Sequence, residues 1–353
     1  MKEKQGAGGK GSKATKIDQS EITVVLQGST LPKYGGKRCI ELSALSVRKT
    51  MPHCKIIIST WEGEDIPQSV RGAVDKVIFN KDPGCFVRGN EKPNNVNRQL
   101  VSSLNGLKQA QTKYALKMRT DFVMKSTGFL NYFDVYNSFS ESYRLFQKRL
   151  VCGMTNFTKR GVAFYISDFL NFGLTSDLLK LYDIPLADAE YFTWFDSHKE
   201  LRTEKQKSSN RYDAEQFIQI SCLRKYGVDV KCQYKLHLND EIRQQGQEYM
   251  ANNYYPVRFE KLGILPLKVY LKTKDSLYLA FGWYTQRDWL KIYKKYCDNN
   301  IRLPLVDWER AHLTIWYFTI PFPKKMIRKL VKLIVGEGRY QWLKAKLKRG
   351  KSV

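Results

Sequence analysis

The sequence predicts an α/β fold with a largely parallel central sheet. Short β-branched apolar runs, helical apolar spacings between them, and turn or capping residues at the joints carry that prediction. Ile22-Thr23-Val24-Val25-Leu26 is the first run and ends in the small-residue turn Gln27-Gly28-Ser29-Thr30. Arg38 to Thr50 follows as a helix, with Ile40, Ser43, Ala44 and Val47 on one face and Pro52 closing it. Lys55-Ile56-Ile57-Ile58-Ser59-Thr60 and Val74 to Phe79 are the second and third strands. From Val96 the spacing Val96, Leu100, Leu104, Leu107, Ala110 makes one helix stripe, which Asn94 or Asn95 would cap. Tyr114 to Met118 is a fourth strand, and Arg119-Thr120-Asp121 sits at its C-terminal end. Strands that alternate with helices argue for a parallel sheet covered on both faces.

Charge divides the chain. Of 353 residues, 60 are Lys or Arg and 34 Asp or Glu, a net of +26. Lys324 to Val353 holds 11 basic residues and one acidic, and Met1 to Lys16 holds five and one. With 42% apolar residues the chain can bury a sizeable core, which excludes a wholly disordered protein. We expect a basic flexible arm over 1–19 and a catalytic domain over 20–250. An aromatic-rich helical extension over 251–322 and a basic amphipathic tail over 323–353 would follow. In the tail, Met326, Leu330, Leu333 and Ile334 fall on one helix face among Lys and Arg, the pattern of a helix lying on an anionic membrane. The alternative is a helix packed on the body with its charges solvated. No apolar run is long enough to span a bilayer. The N-terminus lacks an apolar core for a secretory signal, so a cytoplasmic location is expected. Seven cysteines without C-x-x-C spacing read as free thiols, and the four histidines form no zinc pattern.

Five segments are candidates for chemistry. The Gln27–Thr30 turn lies at a strand end, where ligands of open α/β sheets bind; alone it is equally an ordinary turn. Asp121, also at a strand end, suits a divalent metal held against a diphosphate, or else a loop ion pair. Arg98 in the first turn of its helix adds to the partial positive charge there and suits phosphate. Asp213 and Glu215, early in a probable helix, suit a general base or merely the helix dipole. Asp168, in Ser167-Asp168-Phe169-Leu170-Asn171-Phe172-Gly173, suits hydrogen bonds to sugar hydroxyls, unless that loop only packs its two Phe into the core.

Taken in order, Val24-Val25-Leu26-Gln27-Gly28, Asn94-Asn95-Val96-Asn97-Arg98-Gln99, Leu116-Lys117-Met118-Arg119-Thr120-Asp121, Ser167-Asp168-Phe169 through Phe172-Gly173, and Glu215-Gln216 resemble the WavE family of bacterial lipopolysaccharide-synthesis proteins. The resemblance spans roughly residues 20 to 300. It implies a Rossmann-like GT-A core and a nucleotide-sugar-dependent glycosyltransferase acting on a lipopolysaccharide core or capsule-type glycan. It further implies that Gln27 and Gly28 meet the nucleotide, Arg98 the phosphates, and Asp121 a Mg²⁺ or Mn²⁺ ion. Within the same segments Ser29, Asn97, Arg119, Phe172, Gly173 and Gln216 are expected at the substrate. Glu215 is the first choice of catalytic base and Asp168 the second. The motif is Arg-x-Asp where such enzymes carry Asp-x-Asp, so one carboxylate of the metal pair is absent. Expected partners are the donor, a lipid-linked or oligosaccharide acceptor and the inner face of the cytoplasmic membrane.

The rival reading is a basic protein that binds single-stranded nucleic acid without enzymatic activity. No RNP, KH, zinc-finger or helix-turn-helix signature supports it, and nucleic acid is not an expected partner. A sulfo- or phosphotransferase would need a P-loop, and no such glycine pattern occurs.

Overall fold

The computed structural model describes residues 17–87, 93–153, 161–203, 208–267 and 282–342. The first half builds β1 (Ile22–Gln27), a hairpin of β2 (Lys33–Tyr34) and β3 (Lys37–Arg38), α1 (Cys39–Thr50), β4 (Lys55–Trp61), α2 (Gln68–Arg71), β5 (Lys76–Asn80), α3 (Val96–Lys108), β6 (Tyr114–Arg119) and β7 (Phe122–Met124). The second half adds β8 (Leu150–Gly153), β9 (Leu170–Leu174), α4 (Thr175–Tyr182), α5 (Ala189–Ser197), α6 (Ala214–Lys225), α7 (Asp240–Asn253), β10 (Tyr254–Val257), α8 (Phe259–Leu262) and β11 (Ile264–Pro266). Three helices close the described chain: α9 (Gln286–Tyr296), α10 (Trp308–Thr319) and α11 (Pro321–Val335).

Seven strands form one sheet in the order β10-β8-β9-β6-β1-β4-β5. β6, β1, β4 and β5 run parallel, as do β8 and β10, while β9 runs antiparallel between β6 and β8. The predicted parallel sheet is therefore present with one reversed strand. Strands of a parallel sheet are covered on both faces, so their sequences are continuously apolar rather than alternating. β1 is buried at all six positions and β4 at all but Lys55.

α3 lies on the face presented by Val25, Gln27 and Ser59. A Cβ built on Gly106 would stand 2.4 Å from Val25 Cγ1 and 3.1 Å from Ser59 Cβ. The helix therefore approaches the sheet as closely as a residue without a side chain allows. On α1 the buried residues are Cys39, Ile40, Ser43, Ala44 and Val47, the predicted face, while Leu45 is exposed.

Two expectations are corrected. Leu170 to Leu174 is a central strand, not a loop. The boundary at 250 also divides one body. β10 is the sheet's edge strand, and Tyr254, Tyr255, Trp289 and Tyr293 share the main core with Val24 and Leu116. Trp289 Nε1 donates to the Tyr254 carbonyl at 3.0 Å, so α9 is fastened to the sheet rather than appended to it. The sequence pattern missed this because aromatic residues suit cores and binding surfaces alike. The expected arm over 1–19 falls mostly outside the described residues.

Gly106→Val would force branched methyls against Val25 and Ser59. We expect a loss of roughly 1–3 kcal/mol, the usual cost of overpacking, read from urea unfolding. Unchanged stability would mean that α3 can stand further from the sheet than its packing indicates.

Candidate active site

β1, β4, β5 and β6 all end on the same edge of the sheet, and a cavity of about 750 Å³ opens there. Its wall comes from the turn after β1 (Gln27, Gly28, Ser29) and the segment after β4 (Trp61 to Glu64). Asp82 after β5, Asn95, Arg98 and Gln99 at the start of α3, and Arg119, Thr120 and Asp121 at the end of β6 complete it.

The β1 turn is held open by its neighbours. Gly28 has φ +110°, a conformation that side chains disfavour, and its N–H donates to the Ser59 carbonyl at 3.0 Å. Ser102 of α3 donates to Gln27 Oε1 at 2.8 Å, and Thr120 Oγ1 donates to the Ser29 carbonyl at 2.8 Å. Glu64 accepts from the hydroxyls of Ser29, Thr30 and Thr60 and from the Thr30 N–H. That carboxylate is the turn's clamp. Sequence reasoning passed over it because nothing in Trp61-Glu62-Gly63-Glu64 marks which acid faces the turn.

Two guanidinium groups face the cavity, each gripped by a carboxylate. Arg98 Nε and Nη2 donate to the two oxygens of Asp82 at 2.7 and 2.6 Å, and Nη1 donates to Asn95 Oδ1 at 3.1 Å. The pair holds the Asp82 carboxyl below its usual range and raises the Arg98 guanidinium. Arg119 Nε and Nη2 donate to the oxygens of Asp121 at 3.0 and 3.1 Å, with the guanidinium 4.9 Å over the Phe169 ring. Asp121 is buried, while Arg119 keeps a third of its side chain exposed. The Arg98–Asp82 pair, about a third exposed on both sides, stabilises folding by no more than about 1 kcal/mol, so a more highly charged anion can compete for that guanidinium. Parting the buried Asp121 from Arg119 would leave a buried charge unpaired.

A divalent metal fits these residues poorly. Both Asp121 oxygens already accept from Arg119, and among the described residues no group of three His, Cys, Asp or Glu is placed to hold an ion.

Behind Gln99 lies a second acidic group. Gln99 Nε2 donates to Asp168 Oδ2, while Asp168 Oδ1, buried, has no hydrogen-bond partner among the described residues. Tyr165 donates to Glu215 Oε1 at 2.9 Å. The Glu215 carboxyl is pushed up to about 8, first by burial and then by the negative charge of Asp168 and Asp213, although the residue as a whole keeps intermediate exposure. Asp213 is paired with Lys235. Beneath them Lys117 in β6 is fully buried, donates to the Asp168 carbonyl and lies 4.9 Å over the Tyr182 ring. Burial brings its ammonium down to about 7 against the attraction of Asp168. A lone Lys inside Tyr-Ala-Leu-Lys-Met was the visible sign of this site, and sequence reasoning passed over it.

Of the residues expected at the site, Gln27, Gly28, Ser29, Arg98, Arg119 and Asp121 do line one cavity. Asp168 and Glu215 stand behind its wall. Four lie elsewhere. The Asn97 amide exchanges hydrogen bonds with the Ala187 backbone at 2.7 and 2.9 Å, tying α3 to the chain before α5. Phe172 is buried in β9 against Phe129, Phe133 and Tyr114. Gly173 is small because a Cβ would stand 2.4 Å from Leu150 Cδ2. Gln216 spans the Asp213 N–H and the Ala163 carbonyl, closing the start of α6. A conspicuous polar or glycine residue in these segments secures the fold as readily as it meets a ligand.

Residues 22–321 match the WavE lipopolysaccharide synthesis family. The chain belongs to that family. No curated protein matches it significantly. Among solved structures it is similar to the glycosyltransferase GlyE of Streptococcus pneumoniae, with 14% identity, covering 84% of this chain and 63% of that one at a TM-score of 0.31. A cytidylyltransferase from Leptospira borgpetersenii shares 13% identity over 61% of this chain and 90% of that one, TM-score 0.29. A 4-diphosphocytidyl-2C-methyl-D-erythritol synthase from Anaerococcus prevotii shares 15% over 50% and 84%, TM-score 0.28. Scores this low say nothing about the site of this WavE protein.

The raised Glu215 carboxyl sets a pH dependence. The folded protein keeps that proton until about pH 8, whereas an ordinary glutamate releases it near 4.5. Its contribution to stability is complete below 4.5 and is lost as pH rises through about 8. Glu215→Gln keeps an acceptor for Tyr165 and cannot ionise. The variant should lose less stability than wild type between pH 5 and pH 9 in denaturant titrations. Parallel losses would place the Glu215 carboxyl in ordinary solvent.

Proposed function

We propose that this WavE protein transfers a sugar from a nucleotide-sugar donor to a hydroxyl of a lipopolysaccharide core or capsule-type glycan. The observation that carries the reading is the cavity at the shared strand edge, with a backbone-lined turn on one side and two guanidinium groups on the other. Family membership supports the glycan as product.

In this reading the Gln27–Ser29 turn backs the nucleoside, where Gly28 leaves the approach free of a side chain. The diphosphate lies between Arg98 and Arg119, next to the N-terminus of α3, whose partial positive charge adds to theirs. It displaces Asp82 as partner of Arg98 and meets the exposed side of Arg119, which keeps Asp121. Transfer forms a bond between the acceptor oxygen and the anomeric carbon, breaks the bond from that carbon to the diphosphate, and releases the acceptor proton. Negative charge grows on the leaving diphosphate, and fixed guanidinium groups meet it without reorganising solvent. No step is routed through Mg²⁺ or Mn²⁺.

Asp168 is the base in this reading: Oδ1 stands buried behind Gln99, whose side chain lines the cavity and must swing aside before the acceptor proton reaches it. This reverses the order expected from sequence. A base must be ionised at working pH, and Glu215 holds its proton to about pH 8. Protonated Glu215 spares Asp168 a second negative charge beside it. The acceptor is lipid-linked or an oligosaccharide, and in this reading the enzyme works at the inner face of the cytoplasmic membrane.

Two variants separate binding from chemistry. Arg98→Ala should weaken nucleoside diphosphate binding by roughly 1.5–3 kcal/mol in calorimetry, the scale of a charged hydrogen bond. Asp168→Asn should keep that affinity but lower turnover by about 10²–10⁴-fold. If Arg98 serves only Asp82, affinity per folded molecule stays unchanged in Arg98→Ala and the proposed phosphate site is wrong. Wild-type turnover in Asp168→Asn removes it as the base.

A further inference from the structure

α10 and α11 leave the body with their apolar residues facing outward. Among the described residues, the polar bonds that attach α10 lie in its first turn. Asp307 caps that helix and accepts from Thr285 Oγ1 at 2.7 Å, and Glu309 accepts from the Gln286 N–H at 2.9 Å. Arg310, itself mostly buried, pairs with both Asp288 and Asp307. This knot ties the start of α10 to the start of α9. Beyond it, Tyr317 is the one residue of α10 that is buried, and α11 has none among its described side chains.

The exposed apolar residues cluster. At 100° per residue, Trp308, Ile315 and Phe318 of α10 fall within about 80° of one another, beside the exposed His312 and Thr319, with Tyr317 on the opposite side. On α11, Met326, Ile327, Leu330, Leu333 and Ile334 fall within about 120°, while Lys324, Lys325, Arg328, Lys329 and Lys332 take the other half. Leu333 and Ile334 are 84% and 79% exposed and Trp308 74%. A helix of this kind that packed on a protein would bury its apolar half. No described helix is long and apolar enough to cross a membrane.

We propose that α10 and α11 together form a docking surface for an anionic lipid bilayer. The basic half is what selects this occupant. α11 carries five positive side chains and no acid, a field that attracts acidic headgroups and repels a second copy of itself. Phe318 and Trp308 lie 5 and 15 residues before the basic tail read from sequence, so α10 belongs to the surface as well. The ion-pair knot at Arg310 fixes how the surface leaves the body, so the enzyme is oriented on the bilayer as well as held there. The inference deepens the membrane part of the proposed function and is independent of the transfer chemistry.

The test is co-sedimentation of the full chain with vesicles of phosphatidylcholine alone, or of phosphatidylcholine mixed with phosphatidylglycerol. Nucleoside diphosphate affinity is measured on the same preparation, so that failure here is distinguishable from failure of the donor site. Binding should require phosphatidylglycerol and weaken as salt rises. The pair Leu330→Glu and Leu333→Glu should weaken it at least roughly tenfold, and Lys325→Glu with Lys329→Glu, on the opposite half, should do the same. Circular dichroism checks that both variants stay folded; these side chains are exposed, and either pair alone suffices for the test. Wild type that ignores phosphatidylglycerol vesicles, or folded variants that bind like wild type, would overturn the proposal. So would a dimer in ultracentrifugation that the apolar-face substitutions disperse.

Discussion

Parallel strands cannot be joined by tight turns. Each must return along the outside of the sheet before the next begins, so their C-terminal ends all arrive at one edge. In this protein β1, β4, β5 and β6 obey that constraint, and the proposed donor site follows from it. The four connections that leave this edge supply the cavity wall. The N-terminus of α3 points at it because α3 is the return path between β5 and β6. Gly106 lets α3 lie close against β1 and β4, which brings Arg98 and Gln99 over the strand ends.

A cavity proposed to hold a polyanion needs positive groups, and such groups are costly to leave unpaired in a partly buried wall. Here each guanidinium rests against its own carboxylate, Arg98 on Asp82 and Arg119 on Asp121. The arrangement keeps the side chains extended and oriented while the site is empty of substrate. In the proposed reading it also moderates affinity, because a diphosphate competes with a carboxylate for the Arg98 guanidinium. One layer deeper the sign inverts. Asp168, Asp213 and Glu215 crowd together, and the crowding is relieved by the buried Lys117, by Lys235 and by the proton that Glu215 keeps.

The sheet was legible because its strands are continuous apolar runs, a pattern that burial on both faces imposes; Ile22–Leu26 and Lys55–Thr60 were placed to within a residue. The cavity half of the site was legible for a related reason. Strand ends are where ligands bind in such sheets, so Gln27, Gly28, Arg119 and Asp121 could be picked by position alone. What was not legible depends on pairing. Short segments such as Leu170–Leu174 look the same as loop or strand until β6 and β8 are seen on either side. Glu64 and Asp82 are ordinary acids until the fold brings Thr30 and Arg98 to them. The raised Glu215 carboxyl was hidden for the same reason: burial and Asp168, distant in sequence, push it up together with the neighbouring Asp213.

The central claim is that the strand-edge cavity holds a nucleoside diphosphate through guanidinium groups. Thermal unfolding of the full chain in a panel of UDP-, GDP-, CMP- and dTDP-sugars, with and without Mn²⁺, tests it most directly. A ligand that binds only the folded state raises the melting temperature, by an amount that grows with its concentration over its dissociation constant. The account predicts that at least one nucleoside-diphosphate sugar stabilises the protein, with or without Mn²⁺. Stabilisation that appears only when Mn²⁺ is present would return Asp121 to the role of metal ligand. No stabilisation by any of them would contradict the claim itself.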